Sequence, residues 1–369
     1  MYYALGIEAM HSPTRRLFGA AAAAVDLAVR RTALTRTNGA RHANTLRHEV
    51  RIALLHRLRE RYRRLGAYES FFRDPRRIVP IQDVRLARPN GLRVVDLRWQ
   101  SDYQTFLPEV QERYDAYVEN RTATARLVLH NEPRPMAILI HGYLGGAHRM
   151  ERRLWPMSFW RRLGMDLALF VLPFHGSRAA KGFGRLPPFP GAEPRITNEG
   201  FRQSMADLRD FIAFLVDRGH PKIGVMGMSL GGFSTALAAT LEPKLAFAVP
   251  IIPLASIADA ALLNGHLGED QVAIEQHKAL EAVHVMTSPL HRKLVIPATS
   301  VLVIGAERDQ ITPIQNARKL ATHFHCKLET MHGGHLVQLG RNERFRSIGR
   351  FLNELGVVQR DAPGERGGR

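Results

Sequence analysis

The sequence predicts an α/β fold: a mostly parallel central sheet flanked by helices, with an N-terminal helical extension. Three observations predict it. Short, continuous apolar runs such as Met136–Ile140, Ile223–Met226 and Ala246–Ile252 alternate with amphipathic segments, and strands that are apolar on both sides belong to parallel sheets covered on both faces. Ahead of residue 80 the pattern is helical throughout, and after it the period changes. A glycine-flanked serine stands where one of the apolar runs meets an alanine-rich helix.

The 369 residues admit one large domain with an additional segment. Residues 1–80 read as a basic helical arm, 81–358 as the main domain and 359–369 as a disordered tail rich in glycine and charge. In the arm, Ser12-Pro13 supplies an N-cap and a proline at the first helical position, and the run from Arg16 to Ala33 is alanine-rich. Thr14-Arg15-Arg16-Leu17-Phe18 resembles a twin-arginine export signal. Asp26 interrupts the apolar stretch, however, and Arg30-Arg31 occupy the place of a cleavage site, so the segment reads as a packed amphipathic helix and the chain as cytoplasmic. Residues 44–65 form a second helix with Leu46, Val50, Leu54, Leu58 and Leu65 along one stripe, interrupted by Arg61 and Tyr62. That stripe is expected to dock the arm on the main domain, and peripheral membrane contact is the alternative.

Beyond the arm, Leu92–Trp99 and Thr124–His130 read as leading strands. Met136–Ile140, Leu167–Leu172, Ile223–Met226, Ala246–Ile252, Thr299–Ile304 and Cys326–Thr330 follow. Asn198 is placed to cap a long helix with Phe201, Met205, Leu208, Ile212 and Leu215 on one face. Residues 256–297 are longer than a simple connection and read either as a lid or as a pair of packing helices.

The net charge is +18, and residues 1–80 hold sixteen arginines against six acidic residues. A basic surface attracts anions, membranes or nucleic acid but does not define a fold. No recognised nucleic-acid motif interleaves with the charge, so the arginines alone do not make a nucleic-acid binder. Cys326 is the single cysteine, which excludes an internal disulfide and a cysteine-based zinc site. Neither H-E-x-x-H nor G-x-x-x-x-G-K-[ST] occurs, and no metal or other cofactor is implied.

The chemistry concentrates at Gly227-Met228-Ser229-Leu230-Gly231. This is G-x-S-x-G in a strand–turn–helix setting: a tight turn lifts the serine hydroxyl from the backbone, and larger side chains at the two glycines would collide with neighbouring elements. A serine hydroxyl needs a base. Met331-His332-Gly333-Gly334-His335 follows the last strand and offers His335, with His332 as its competitor. The base in turn needs an orienting acid. Asp309, on the loop after Thr299–Ile304, is favoured over Glu307 two residues earlier.

With the order Ser229, Asp309, His335, the sequence resembles the α/β-hydrolase superfamily over roughly residues 130–355. The motifs are the nucleophile elbow, the run from Gly305 to Pro313, Gly333-Gly334-His335, and His141-Gly142-Tyr143-Leu144-Gly145-Gly146 after a strand. The resemblance implies an α/β-hydrolase fold and an oxyanion hole formed by the backbone N–H groups of Tyr143 and Leu230, with Leu144 as a further donor. It also implies that Pro173-Phe174-His175-Gly176-Ser177-Arg178 shapes the site and that His175 is structural. The expected activity is serine hydrolysis of a small-molecule carboxylic ester without a cofactor. A lipase, a thioesterase, a peptidase or a silent binding scaffold on the same fold are the alternatives.

Overall fold

A computed structural model describes residues 12–36, 47–87, 92–180, 186–338 and 341–358. Nine strands form one sheet: β1 (Pro80–Ala87), β2 (Arg93–Gln100), β3 (Thr122–Leu129), β4 (Met136–Ile140), β5 (Asp166–Phe170), β6 (Ile223–Met228), β7 (Leu245–Ile251), β8 (Leu302–Ala306) and β9 (Lys327–Met331). Their order is β1-β2-β3-β5-β4-β6-β7-β8-β9. The pairs from β1 to β5 run antiparallel and all pairs from β5 to β9 run parallel.

The helices used below are α1 (Ser12–Arg36), α2 (His48–Arg64), α3 (Pro194–Asp217), α4 (Leu230–Ala238), α5 (Ile257–Leu263), α6 (Asp270–His284), α7 (Ile314–Phe324) and α8 (Arg341–Glu354), with further short helices and 3-10 turns between them. Every residue of β4, β5, β6 and β8 is buried, because helices cover both faces of the sheet. Alternate residues divide between two layers. Ile138, Ile140, Val225 and Val303 pack with Phe201, Leu208, Phe211 and Leu320 of α3 and α7. Ala137, Leu139, Met226 and Leu302 face Trp155, Trp160, Phe345 and Ile348 on the other side.

Several boundaries differ from those read in the sequence. Helix α3 begins at Pro194, four residues before Asn198, which lies buried inside it. The Asn198 amide bonds Val283 O at 3.0 Å and His284 Nδ1 at 2.6 Å, so it ties α3 to the end of α6 and does not cap a helix. Thr299 and Ser300 belong to a 3-10 turn, and β8 starts at Leu302. The edge strand β1, which the sequence reading did not delimit, pairs with β2.

The arm also docks by a different face. On α2, Val50 and Leu54 are exposed, as is Leu65 just after it, while Leu55 and Tyr62 are buried with Ile52 and Leu58 partly covered. Leu46 lies outside the described residues, as does the tail beyond 358. Tyr62, read as an interruption, is an anchor, and it packs edge-on to Phe71. The partners of α2 include Ala258, Ala273, Leu280 and Val283, so residues 256–297 fold as two helices strapped by α2. No helix among the described residues is long and apolar enough to cross a membrane.

Candidate active site

The sheet itself fixes where a ligand can sit. The chain runs from β4 outward to β5 and then crosses to the other side of β4 to form β6. At such a reversal the loops leaving the two strands part, and a crevice opens at their C-terminal ends. The loops here are His141–Gly146 after β4 and the Ser229 turn after β6.

Ser229 adopts φ 59° and ψ −113°, a strained conformation for a residue with a side chain. The turn is clamped from both sides: Ser229 N donates to Ile251 O at 3.0 Å, and Ser229 O accepts from Phe233 N at 3.0 Å and Leu254 N at 3.2 Å. A Cβ on Gly227 would lie 2.1 Å from Gly231 O, and one on Gly231 would lie 2.3 Å from Ile140 O. The two glycines are therefore required by close backbone approach. Leu230 opens α4, so its N–H belongs to the unpaired first turn of a helix, where negative charge is favoured. Gly142 faces the serine: a Cβ there would stand 3.4 Å from Ser229 Cβ and 3.9 Å from its Oγ. The loop that carries Tyr143 and the turn that carries Ser229 and Leu230 are thus brought side by side.

His335 and Asp309 are buried, and His335 Nδ1 lies 2.8 Å from Asp309 Oδ2. The other carboxylate oxygen accepts from Ile311 N at 2.8 Å and Thr312 N at 2.7 Å, which fixes the plane of the group. The competing residues pair with each other. His332 Nδ1 and Glu307 Oε2 meet at 2.9 Å on the exposed side of the same two loops. The backbone joins the loops as well, through Glu307 N to Met331 O at 3.1 Å and Arg308 N to Gly333 O at 3.0 Å.

Thr312 escaped the sequence reading. Its hydroxyl oxygen lies 3.0 Å from both His335 Nδ1 and Asp309 Oδ2, and 2.9 Å from Ile252 O. A hydroxyl has one proton to give, so it donates to Ile252 O or to the carboxylate. Its hydroxyl thus stands between the His–Asp pair and Ile252, the residue after the one that anchors Ser229 N. The signal was present as Asp309-x-x-Thr312, a spacing at which an aspartate and a threonine close a turn on each other. Among the described residues, Ser229 Oγ and the imidazole share no direct hydrogen bond.

The remaining histidines near the crevice are held by backbone groups. His141 Nε2 accepts from Leu172 N at 3.0 Å and its Nδ1 lies 2.7 Å from Gly142 O, so the ring carries its proton on Nδ1. Burial, with His175 nearby, pushes it down to about 3. His175 Nδ1 lies 2.8 Å from Pro173 O, and burial lowers this ring to about 4. Both are neutral wall groups at physiological pH. Tyr143 donates from its hydroxyl to Pro187 O at 3.2 Å and packs edge-on to His175.

This architecture is the α/β-hydrolase fold. Solved structures agree at the level of fold. The acetyl xylan esterase from Paenibacillus sp. R4 matches with TM-score 0.51 at 15% identity over 82% of this chain and 94% of that one. Acetyl Xylan Esterase 1 from Thermoanaerobacterium sp. JW/SL YS485 gives 0.52 at 15% identity, covering 82% of this chain and 93% of its own.

The chain belongs to the family described as alpha/beta hydrolase domain containing 18, whose model matches residues 70–269, more than half of its length. That match includes Ser229 and ends before Asp309 and His335. The uncharacterized protein Rv2627c of Mycobacterium tuberculosis (strain ATCC 25618 / H37Rv) is 29% identical over 260 residues, which are 68% of this chain and 61% of the relative. The match thus spans less than two thirds of the relative's length.

Proposed function

We propose that the protein is a serine hydrolase acting on a carboxylic ester. The observation that carries this reading is the conjunction of a strained serine turn with a buried His335–Asp309 pair at 2.8 Å on the same rim of the sheet. In the proposed mechanism Ser229 Oγ attacks the ester carbonyl carbon and its proton passes to His335 Nε2. Asp309 holds Nδ1–H and stabilises the imidazolium. The N–H groups of Tyr143 and Leu230 receive the oxyanion. The alcohol leaves with the proton returned by His335, and water then attacks the acyl-enzyme by the same route. The covalent intermediate divides the reaction into two steps, and no cofactor enters. The serine–histidine hydrogen bond forms when substrate closes the site, as catalytic contacts commonly tighten only in the complex.

Esters are favoured over amides because their leaving groups need less activation. Tyr143, Leu144 and Leu336 are exposed on loops of this rim and support an acyl group of moderate hydrophobicity. A series of p-nitrophenyl esters of increasing acyl length, measured against Ser229→Ala, tests the reading. Turnover is expected in the parent protein only, with an optimum above acetyl. Efficient cleavage of the matching amides without ester turnover would overturn it.

A further inference from the structure

The twin loops that present Asp309 and His335 are not held by the main domain alone. Asp26, on the N-terminal helix α1, is wholly buried, and its carboxylate reaches both of them. Oδ2 accepts from His335 N at 2.6 Å and Gln310 N at 3.3 Å, and Oδ1 accepts from Leu336 N at 3.0 Å. One amide therefore belongs to the residue after Asp309, one to His335 itself and one to the residue after it. A carboxylate with no solvent exposure is costly unless its lone pairs are met, and three backbone donors meet them here. The fit is close on the other side too: a Cβ on Gly334 would lie 2.4 Å from Asp26 Oδ2 and 3.2 Å from Ala22 O. The same helix reaches the acid loop a second time, where Arg30 Nη1 donates to Gln310 O at 3.0 Å.

We propose that Asp26 is a positioning residue for the hydrolase site: it clamps the acid loop and the histidine loop to each other, and this makes α1 a working part of the active centre. The proposal rests on the serine-hydrolase reading above. The carboxylate touches no reacting atom. It sets the Cα position of His335, and a displaced imidazole loses rate because near-attack geometry tolerates little error.

The test uses the full chain and a fluorophosphonate probe, with the labelling constant separated into a binding part and a maximal rate. Asp26→Ala is expected to lower the maximal rate between about tenfold and a hundredfold with probe binding little changed. Hydrogen exchange at the amides of Gln310, His335 and Leu336 is expected to accelerate in the same variant. Ala22→Gly is the control, since it loosens the same helix and leaves the carboxylate in place. It should label at close to the parent rate. Gly334→Ala should slow labelling in the parent and add much less in the Asp26→Ala background, because the severe clash with the carboxylate is gone and only the closer approach to Ala22 O remains.

Unchanged labelling in Asp26→Ala overturns the inference alone, as does equal slowing in Ala22→Gly. Failure of the parent protein to label at Ser229 instead strikes the serine-hydrolase reading on which the role depends.

Discussion

Two histidine–acid pairs sit on the same two loops, and they differ in burial. His335 and Asp309 are enclosed and oriented by Thr312, whereas His332 and Glu307 meet in solvent. An exposed pair contributes little, because water screens it and both side chains lose freedom to form it. Asp309→Asn is therefore expected to lower kcat by about three to four orders of magnitude with the fold intact, since the imidazole loses its orienting anion. Glu307→Gln should stay within a few-fold of the parent, and steady-state ester kinetics with a circular-dichroism check of folding measure both. A reversed ranking would move the acid to Glu307. As candidates, Ser229, Asp309 and His335 were legible because each sits in a short local pattern imposed by its backbone. Asp26 was not: its partners are main-chain amides of residues 310, 335 and 336, which leave no side-chain signature, and in the sequence it appears only as a charge interrupting an alanine run.

At the scale of elements, the central strands were readable and the outer ones less so. A strand buried on both faces, such as Met136–Ile140, is a bounded apolar run, and its limits in the structure match the sequence reading. An edge strand such as β1 (PIQDVRLA) carries polar residues among apolar ones and offers no such boundary. Helix α2 shows why a stripe of leucines can mislead. The i, i+4 series through Val50 and Leu54 is left exposed, and the helix docks through Leu55 and Tyr62, one position out of register and seven residues apart. Nothing in the local pattern selects that face; the apolar cluster it joins with Ala258, Leu280 and Val283 does. The start of α3 was misplaced for a related reason. Asn198 has the chemistry of a cap, but a buried asparagine can equally serve as a cross-link, and here it joins α3 to Val283, His284 and Thr287.

The whole molecule wraps its N-terminal helices over the domain they precede: α1 reaches the loops of the candidate site, and α2 straps the helix pair α5–α6. This interior also makes stability depend on acidity. His141 and His284 are pushed down to about 3 and His175 to about 4, each chiefly by burial. A histidine whose folded pKa lies below its unfolded value of 6.5 binds a proton more readily when unfolded. Its contribution is complete above pH 6.5 and is lost as pH falls toward the folded value. The loss approaches about 1.4 kcal/mol per pH unit for each group. Thermal unfolding followed between pH 7.5 and 4 is thus expected to show a steep fall in Tm below about pH 6, and a flat profile would mean that these rings are not buried in neutral form. On the proposed mechanism Ser229 is an activated nucleophile. Native protein treated with a fluorophosphonate probe and read by intact mass should gain a single adduct, mapped by peptide sequencing to Ser229 and missing in Ser229→Ala. Native protein that stays unlabelled, or a Ser229→Ala variant that labels equally, would contradict the account.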